Sequence, residues 1–400
     1  MTDTIDATTA KDEAIALVDA VADLLVDASH RIHERPELGY EEHFAADLLA
    51  SPLESHGVAV ERAAYGLATS FAGRAGSGGP HVVVCCEYDA LPTVGHGCGH
   101  NVIAAAGLGA GLALATLAER CGGRVTVLGT PAEELSGGGK IRLIEAGAFE
   151  DADVAMMVHP EPGDVERVPY LANDVLVVEY HGVSAHASSS PWQGRNALDG
   201  LVAGYTALQA LRGHLPPDHK VFGIITHGGD ADNTVPAYAA GRFRVRAPSQ
   251  AQLDRLKERA LACFEGGAAQ SGTRLEHRWT GGYADLVANR PLAAAYRRNG
   301  EALGRRFVDP HLVPAFVAGS TDMGNVSKVV PTIHPVVKAC ELGTPGHSHE
   351  MREAAASPMA DAAVVDGAKA LAMTAIDYWT DAALREQVRA DFEKRVVATR

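Results

Sequence analysis

Val125-Thr126-Val127-Leu128-Gly129-Thr130-Pro131-Ala132-Glu133-Glu134 runs an apolar stretch straight into two adjacent carboxylates. The β-branched run predicts a buried strand, and Pro131 marks its end. Upstream, Cys98-Gly99-His100 follows the apolar run His81-Val82-Val83-Val84-Cys85-Cys86. Downstream, His159 ends a third run, Val154-Ala155-Met156-Met157-Val158. In an open α/β sheet, ligands sit beyond the carboxyl ends of the strands. A thiolate, two imidazoles and two carboxylates, each just past a predicted strand, can converge there. Their chemistry suits a divalent metal that activates water.

The alternation extends on either side of that stretch. Strands near 81–86, 124–128 and 154–158 interleave with helices near 101–119 and 138–146. This implies βαβ units, and so an α/β fold with a mostly parallel sheet and helices on both faces. Ahead of it, residues 11–33 carry helical periodicity that Arg35-Pro36 stops. A second helix runs from Glu41 towards His56, with Pro52 and Gly57 as stop signals. Residues 1 to about 10 read as a frayed tail. After Pro169 the pattern changes to strand 173–180, helix 196–212, strands 221–226 and 241–247, helix 250–265 and strand 273–280. The order β-α-β-β-α-β resembles a ferredoxin-like unit. It predicts an α+β domain at 173–283, inserted between catalytic segments 1–172 and 284–400. Long helical segments return at 291–304 and 357–378.

Composition narrows the function classes. Of the 400 residues, 46% are hydrophobic and 21% charged, which predicts a large folded core. A formal net charge of -15 opposes binding to nucleic acid or anionic membrane, which favour basic surfaces. The start, Met1-Thr2-Asp3-Thr4-Ile5-Asp6, lacks the basic and then apolar pattern of a secretion signal. Residues 102–118 approach the apolarity of a membrane span, but their Gly and Ala content favours a buried, closely packed helix. Six irregularly spaced cysteines argue against a disulfide framework and for a reducing, cytoplasmic setting. Cys85 and Cys86 read as core residues. No G-x-S-x-G elbow and no P-loop is present, so nucleophilic-serine and nucleotide chemistries have little support.

Each candidate site residue has a plainer reading beside the functional one. Cys98 and His100 suit a zinc-like metal, or form a tight turn with an incidental thiol. Glu133 and Glu134 repel each other and resist burial. A metal offsets that cost for one and leaves the other as general base and then general acid. An exposed helix N-terminus carrying two acids is the alternative. His159, before Pro160, is a ligand or a hydrogen-bonded loop residue. Asp89 orients a ligating imidazole or caps a turn. His186 and Asn233, in the inserted domain, have no ligand partner nearby in sequence. The remaining histidines, among them His30, His56, His214 and His219, read as surface residues.

Taken together, the motifs resemble the M20 metallopeptidase family, in its branch of aminoacylase-like, aminobenzoyl-glutamate-hydrolase-like and dipeptidase-like amidohydrolases. The resemblance covers about residues 33–351. It rests on His33-Glu34-Arg35-Pro36-Glu37-Leu38-Gly39, Glu87-Tyr88-Asp89-Ala90-Leu91-Pro92, Gly97-Cys98-Gly99-His100-Asn101, Pro131-Ala132-Glu133-Glu134, His159-Pro160, Ser184-Ala185-His186-Ala187 and Gly319-Ser320-Thr321-Asp322-Met323-Gly324-Asn325. Tyr88 and Asn101 lean towards the dipeptidase-like members.

The resemblance implies a catalytic domain interrupted by a lid domain that mediates homodimerisation. By motif, Cys98, His100, Glu134, His159 and His347 would hold two divalent metals, zinc or manganese, with cobalt as a third candidate. Glu133 would be the general base. His186 would reach the partner's site to polarise the scissile carbonyl, with Asn233 assisting. Arg195 and Arg246 are candidates for gripping a substrate carboxylate. The last ligand motif departs from the family pattern. In His347-Ser348-His349-Glu350-Met351, His349 rivals His347, and Met351 stands where an aromatic is usual.

The expected reaction is metal-dependent hydrolysis of an amide bond in a dipeptide or N-acyl amino acid. Hydrolysis of another C–N bond, carbamoyl or amidine, is one alternative. A non-catalytic ligand-binding homologue is the other. The intact Glu133, Glu134, Cys98 and His100 weigh against the last, because a binder needs no base beside its metal.

Overall fold

The computed structural model describes residues 5–134, 137–312 and 319–396. Contacts divide the chain into two units. The first is built from the described parts of Met1–Val168, Val287–Val313 and Asp322–Arg400, and the second from those of Pro169–Leu286 and Pro314–Thr321.

The first unit begins α1 (Ala7–Ala20), α2 (Ala22–Glu34), α3 (His43–Ser55), β1 (Ala59–Arg62), β2 (Phe71–Ala75), β3 (His81–Glu87), α4 (His100–Cys121), β4 (Arg124–Thr130), α5 (Gly139–Glu145), β5 (Val154–Met156) and β6 (His159–Glu161). Its central sheet has the order β1-β2-β4-β3-β5-β11, where β11 is Thr332–Ile333. β4, β3, β5 and β11 run parallel. β2 and β1 add an antiparallel edge. From β3 the chain steps outward to β4 and then returns to β5 on the other side of β3. Right-handed crossovers therefore put α4 and α5 on opposite faces. The crevice at this reversal opens beyond the carboxyl ends of β3 and its neighbours, where ligands bind in such sheets.

Every residue of β3 is buried, as a parallel strand covered on both faces requires. The glycines of α4 explain how closely it packs. A Cβ at Gly107 would stand 2.6 Å from Cys86 Sγ, and one at Gly111 would stand 2.3 Å from Val127 Cγ2. On the other side, a Cβ at Gly109 would meet Leu25 of α2 at 2.5 Å. α4 is long and apolar enough to cross a membrane by composition, yet 89% of its most apolar window is buried inside the protein.

Several local expectations change. The helical start is not a frayed tail from residue 5 onward: Asp6 accepts from the Thr8 and Thr9 N–H groups, and α1 begins at Ala7. Residues 1–4 lie outside the described residues. The predicted helical stretch 11–33 breaks at Val21 (φ −112°, ψ 9°) into α1 and α2. β1 and β2 lack the β-branched runs that mark the central strands, which hid them in the sequence. His159 does not end β5, which stops at Met156. It opens β6, paired in parallel with β12 (Val336–Lys338) in a separate two-stranded sheet. The unit also contains α8 (Arg290–Ala302), α9 (Met323–Val326), α10 (His349–Ala354), α11 (Pro358–Thr380) and the unexpected α12 (Ala382–Arg395).

The second unit runs β7 (Ala172–His181), α6 (Ala197–Arg212), β8 (Lys220–His227), β9 (Tyr238–Ala247), α7 (Gln250–Ser271) and β10 (Arg274–Trp279). Its antiparallel sheet has the order β10-β7-β9-β8, and α6 and α7 pack on each other and on β7 and β9. This is the β-α-β-β-α-β order. Asn196 and Ser249 cap the two helices with their side chains. The core is aromatic and aliphatic, with the Phe243 and Phe264 rings 4.6 Å apart. β8 forms one edge, and it leaves Ile224 63% exposed beside the half-exposed Phe222 and Ile225.

Candidate metal centre

The carboxyl ends of β3 and β4 and the start of β6 bring the predicted donors together. Gly99 takes a left-handed conformation (φ 78°), and a Cβ there would lie 2.6 Å from Pro160 Cγ and 3.1 Å from Met351 Cε. Only glycine fits this turn, which places Cys98 before α4 and His100 at its first residue. Met351 is buried against this turn.

Asp89 joins two of the loops. Its Oδ1 lies 3.0 Å from His100 Nδ1, and its Oδ2 accepts from the Glu134 N–H at 2.8 Å. With Nδ1–H donated to Asp89, His100 presents the Nε2 lone pair to the site. Ala132 carries a left-handed φ of 57°, and its N–H donates to buried Glu42 at 2.8 Å. That bend holds Glu133 and Glu134 at the sheet edge.

Two donor groups share one thiol. Cys98, His100 and His159 offer donor atoms within 4.8 Å of one another, and so do Cys98, Glu134 and His347. Cys98 Sγ is 3.5 Å from His159 Nε2, and His347 Nε2 is 3.4 Å from Glu134 Oε1. Ligands around a tetrahedral zinc ion stand roughly 3.4–3.6 Å apart, given metal–ligand bonds of about 2.0–2.3 Å. The residues present therefore fit divalent ions of this kind. His347 rather than His349 faces Glu134; His349 opens α10 and joins no donor group among the described residues.

Burial governs the electrostatics. It pushes the Glu133 carboxyl well above its ordinary range, reinforced by Glu87 and Glu134. Burial also raises Glu134, against the pull of His100 and His347. It lowers His159 to about 3, which keeps that imidazole neutral and able to donate a lone pair. At His100 burial opposes the charge, but Glu87, Cys98 and Asp89 outweigh it and raise the pKa.

His186, Asn233, Arg195 and Arg246 belong to the second unit. His186 bridges to Thr234, and the Ala187 N–H donates to the Asn233 carbonyl, so the two motifs lie side by side. The Ser188 and Ser189 N–H groups donate to His186 Nδ1 at 3.2 and 3.3 Å. Arg195 pairs through its backbone with Val183, and the Arg246 guanidinium lies 5.8 Å from the Phe222 ring centroid.

The remaining histidines do not all lie at the surface. His81, His96 and His334 are buried, and His219 is largely covered beside Asp218. His81 reaches Thr126 Oγ1 across the β3–β4 pair, a structural role. The His334 ring lies 5.5 Å from that of His159, which in turn lies 6.0 Å from that of His100. Its signal was the repeated His-Pro after an apolar strand, in Val158-His159-Pro160 and again in Ile333-His334-Pro335. Glu87 and Lys140, also buried beside the site, were not singled out from the sequence.

The mouse Xaa-Arg dipeptidase is 40% identical over 400 residues, covering 96% of this chain and 92% of its own. One of the subunits of the Escherichia coli p-aminobenzoyl-glutamate hydrolase is 28% identical, with 92% of each chain covered. A solved Bacillus subtilis protein, YXEP, described as a dinuclear metal-binding peptidase, shares the fold with a TM-score of 0.69. It is 19% identical, and 90% of this chain and 98% of that one are covered. Residues 86–377 match peptidase family M20/M25/M40, and the chain belongs to that family.

Proposed function

We propose that this protein is a two-metal dipeptidase that cleaves the amide bond before a free C-terminal amino acid, with a basic residue preferred there. The observation that carries the reading is the pair of donor groups sharing Cys98, set beside the buried Glu133. When bound, divalent ions supply Lewis acidity that polarises a carbonyl and lowers the pKa of water. The Cys98 thiolate and the imidazoles of His100, His159 and His347 favour zinc or cobalt, while Glu134 also admits manganese.

The chain's own groups account for the proton traffic. Glu133, with its raised pKa, takes a proton from the attacking water and delivers it to the leaving amine. Asp89 keeps His100 in the tautomer that presents Nε2 to the site. His186 accepts at Nδ1 from two backbone N–H groups, so its neutral ring carries the proton on Nε2. That donor suits a carbonyl oxygen of a substrate held by a partner chain, with Asn233 beside it. Arg195 and Arg246 remain the candidates for the substrate carboxylate.

The Xaa-Arg dipeptidase relative supports the basic preference, and the acidic net charge favours a cationic substrate. The p-aminobenzoyl-glutamate hydrolase supports the wider class of N-acyl amino acids. Exposed Phe222, Ile224 and Ile225 on the β8 edge support a homodimer through the second unit. All six cysteines are free, which suits the reducing, cytoplasmic setting we propose.

Glu133→Gln tests the reading. The variant is expected to retain its metal by elemental analysis while kcat falls about 10²- to 10⁴-fold, the usual worth of a general base. Wild-type turnover in that variant would contradict it.

A further inference from the structure

A buried cluster beside the centre remains to be explained. Lys140 sits in the first turn of α5 with its side chain fully buried, and its Nζ pairs with both Glu87 and Asp322. The Asp322 contact is 2.7 Å, and Asp322 Oδ2 also accepts from the Lys140 backbone N–H at 2.9 Å. A lone buried ammonium costs several kcal/mol, so the two carboxylates are what make this lysine tolerable. Burial opposes its charge, but Asp322, Glu87 and Glu133 outweigh it and keep the ammonium protonated.

The ion pair holds Glu87 by Oε2, which leaves Oε1 pointing elsewhere. Oε1 lies 3.2 Å from His100 Nε2, without the alignment of a hydrogen bond. His100 is 1% exposed, and its Nε2 has no hydrogen-bond partner among the described residues. Its Nδ1 is already committed to Asp89. Without a proton on Nε2, the ring turns a lone pair towards a carboxylate oxygen in a dry site. Two acceptors face to face at this distance need a cation between them, either a proton or a metal ion. Glu87, His100 and Glu133 also form a third group of donor atoms within 4.8 Å of one another.

We propose that Glu87 is a further ligand of the metal centre, on the His100 side, held by an ion-pair clamp in which Asp322 anchors Lys140 and Lys140 anchors Glu87. The assignment rests on the metal centre read above. Glu87 supplies a hard oxygen where the other contacts on that side are Cys98, His100 and His159. Lys140 neutralises the extra negative charge, so one more carboxylate can stand beside Glu133 and Glu134 without driving them apart.

The test measures metal affinity rather than turnover. Wild type, Glu87→Gln, Glu87→Asp, Lys140→Met and the double variant Glu87→Gln/Lys140→Met are stripped, checked for folding by circular dichroism, and titrated with zinc against a chromophoric chelator. Cobalt-loaded samples are compared by visible absorption. Glu87→Gln is expected to weaken the ion at His100 at least tenfold and to shift the cobalt bands, with the other ion unaffected. Glu87→Asp keeps the charge that pairs with Lys140 but withdraws the oxygen, so it folds and loses affinity in the same direction. Lys140→Met is expected to weaken that ion about 10- to 100-fold, as loss of a group that orients a ligand does. The double variant should be no weaker than Glu87→Gln alone. Unchanged affinity and spectrum in both Glu87 variants would overturn the assignment and leave a proton-bridged structural pair. A wild type that binds no zinc would instead overturn the metal centre itself, and the assignment with it.

Discussion

Glu42 shows how one buried side chain fixes the bend that precedes Glu133. Its Oε1 accepts from the Ala132 N–H at the bend before Glu133. Burial and then the charge of Asp89 push its pKa up to about 7. An ordinary glutamate in the unfolded chain titrates near 4.3. Between those values the folded protein binds more protons than the unfolded chain, so stability falls as pH rises through that window and the loss is complete above 7. Glu42→Gln keeps the acceptor for Ala132 and removes the charge. In metal-free urea unfolding, the variant is expected to match wild type near pH 4.5 and to exceed it by up to about 3 kcal/mol at pH 8. An equal difference at both pH values would contradict this.

Legibility at this scale followed from position. Cys98, His100, Glu133, Glu134 and His159 stand just beyond apolar runs, and a sheet that ends in a crevice gathers such residues. Lys140 was hidden because a lysine in the first turn of a helix reads as solvated. Its burial depends on Asp322, 182 residues away. His334 was hidden because β11 is only two residues long and gives no periodic signal.

At the scale of elements, α4 is a packing spacer as much as a helix. Alanine is favoured over glycine inside a helix by about 1 kcal/mol. At Gly111, however, the added Cβ would meet the stiff, buried Val127 at 2.3 Å. Overpacking of that kind costs about 1–3 kcal/mol, so Gly111→Ala is expected to lower the thermal midpoint despite its better helix propensity. A raised midpoint would show that Val127 yields freely. The strands that sequence revealed, β3, β4 and β5, have continuous apolar runs, whereas β1 and β2 are edge strands of mixed composition. The β8 edge makes a separate prediction. For the proposed homodimer, Ile224→Asp puts a charge on its exposed apolar row and is expected to lower the mass from dimer to monomer by analytical ultracentrifugation. An unchanged dimer would place the interface elsewhere.

At the scale of the whole molecule, an acidic chain carries a parallel α/β unit whose strand ends gather thiol, imidazole and carboxylate, with a β-α-β-β-α-β unit inserted in it. The alternation of apolar runs predicted that sheet, and the change of pattern after Pro169 set the expectation of a separate α+β domain at 173–283. Contacts group Pro169–Leu286 within the second unit, where the Leu286 N–H pairs with the Tyr170 carbonyl and the Asn173 N–H with that of Tyr283. The His347-Ser348-His349 sequence left two candidates for a C-terminal ligand, and of these His347 lies 3.4 Å from Glu134 while His349 opens α10. The most direct measurement is release of free amino acid from a panel of dipeptides and N-acyl amino acids, using stripped protein reloaded with zinc, manganese or cobalt. Metal-restored cleavage, fastest for dipeptides ending in arginine or lysine, is the predicted result. No release from any member of the panel, with metal demonstrably bound, would contradict the account.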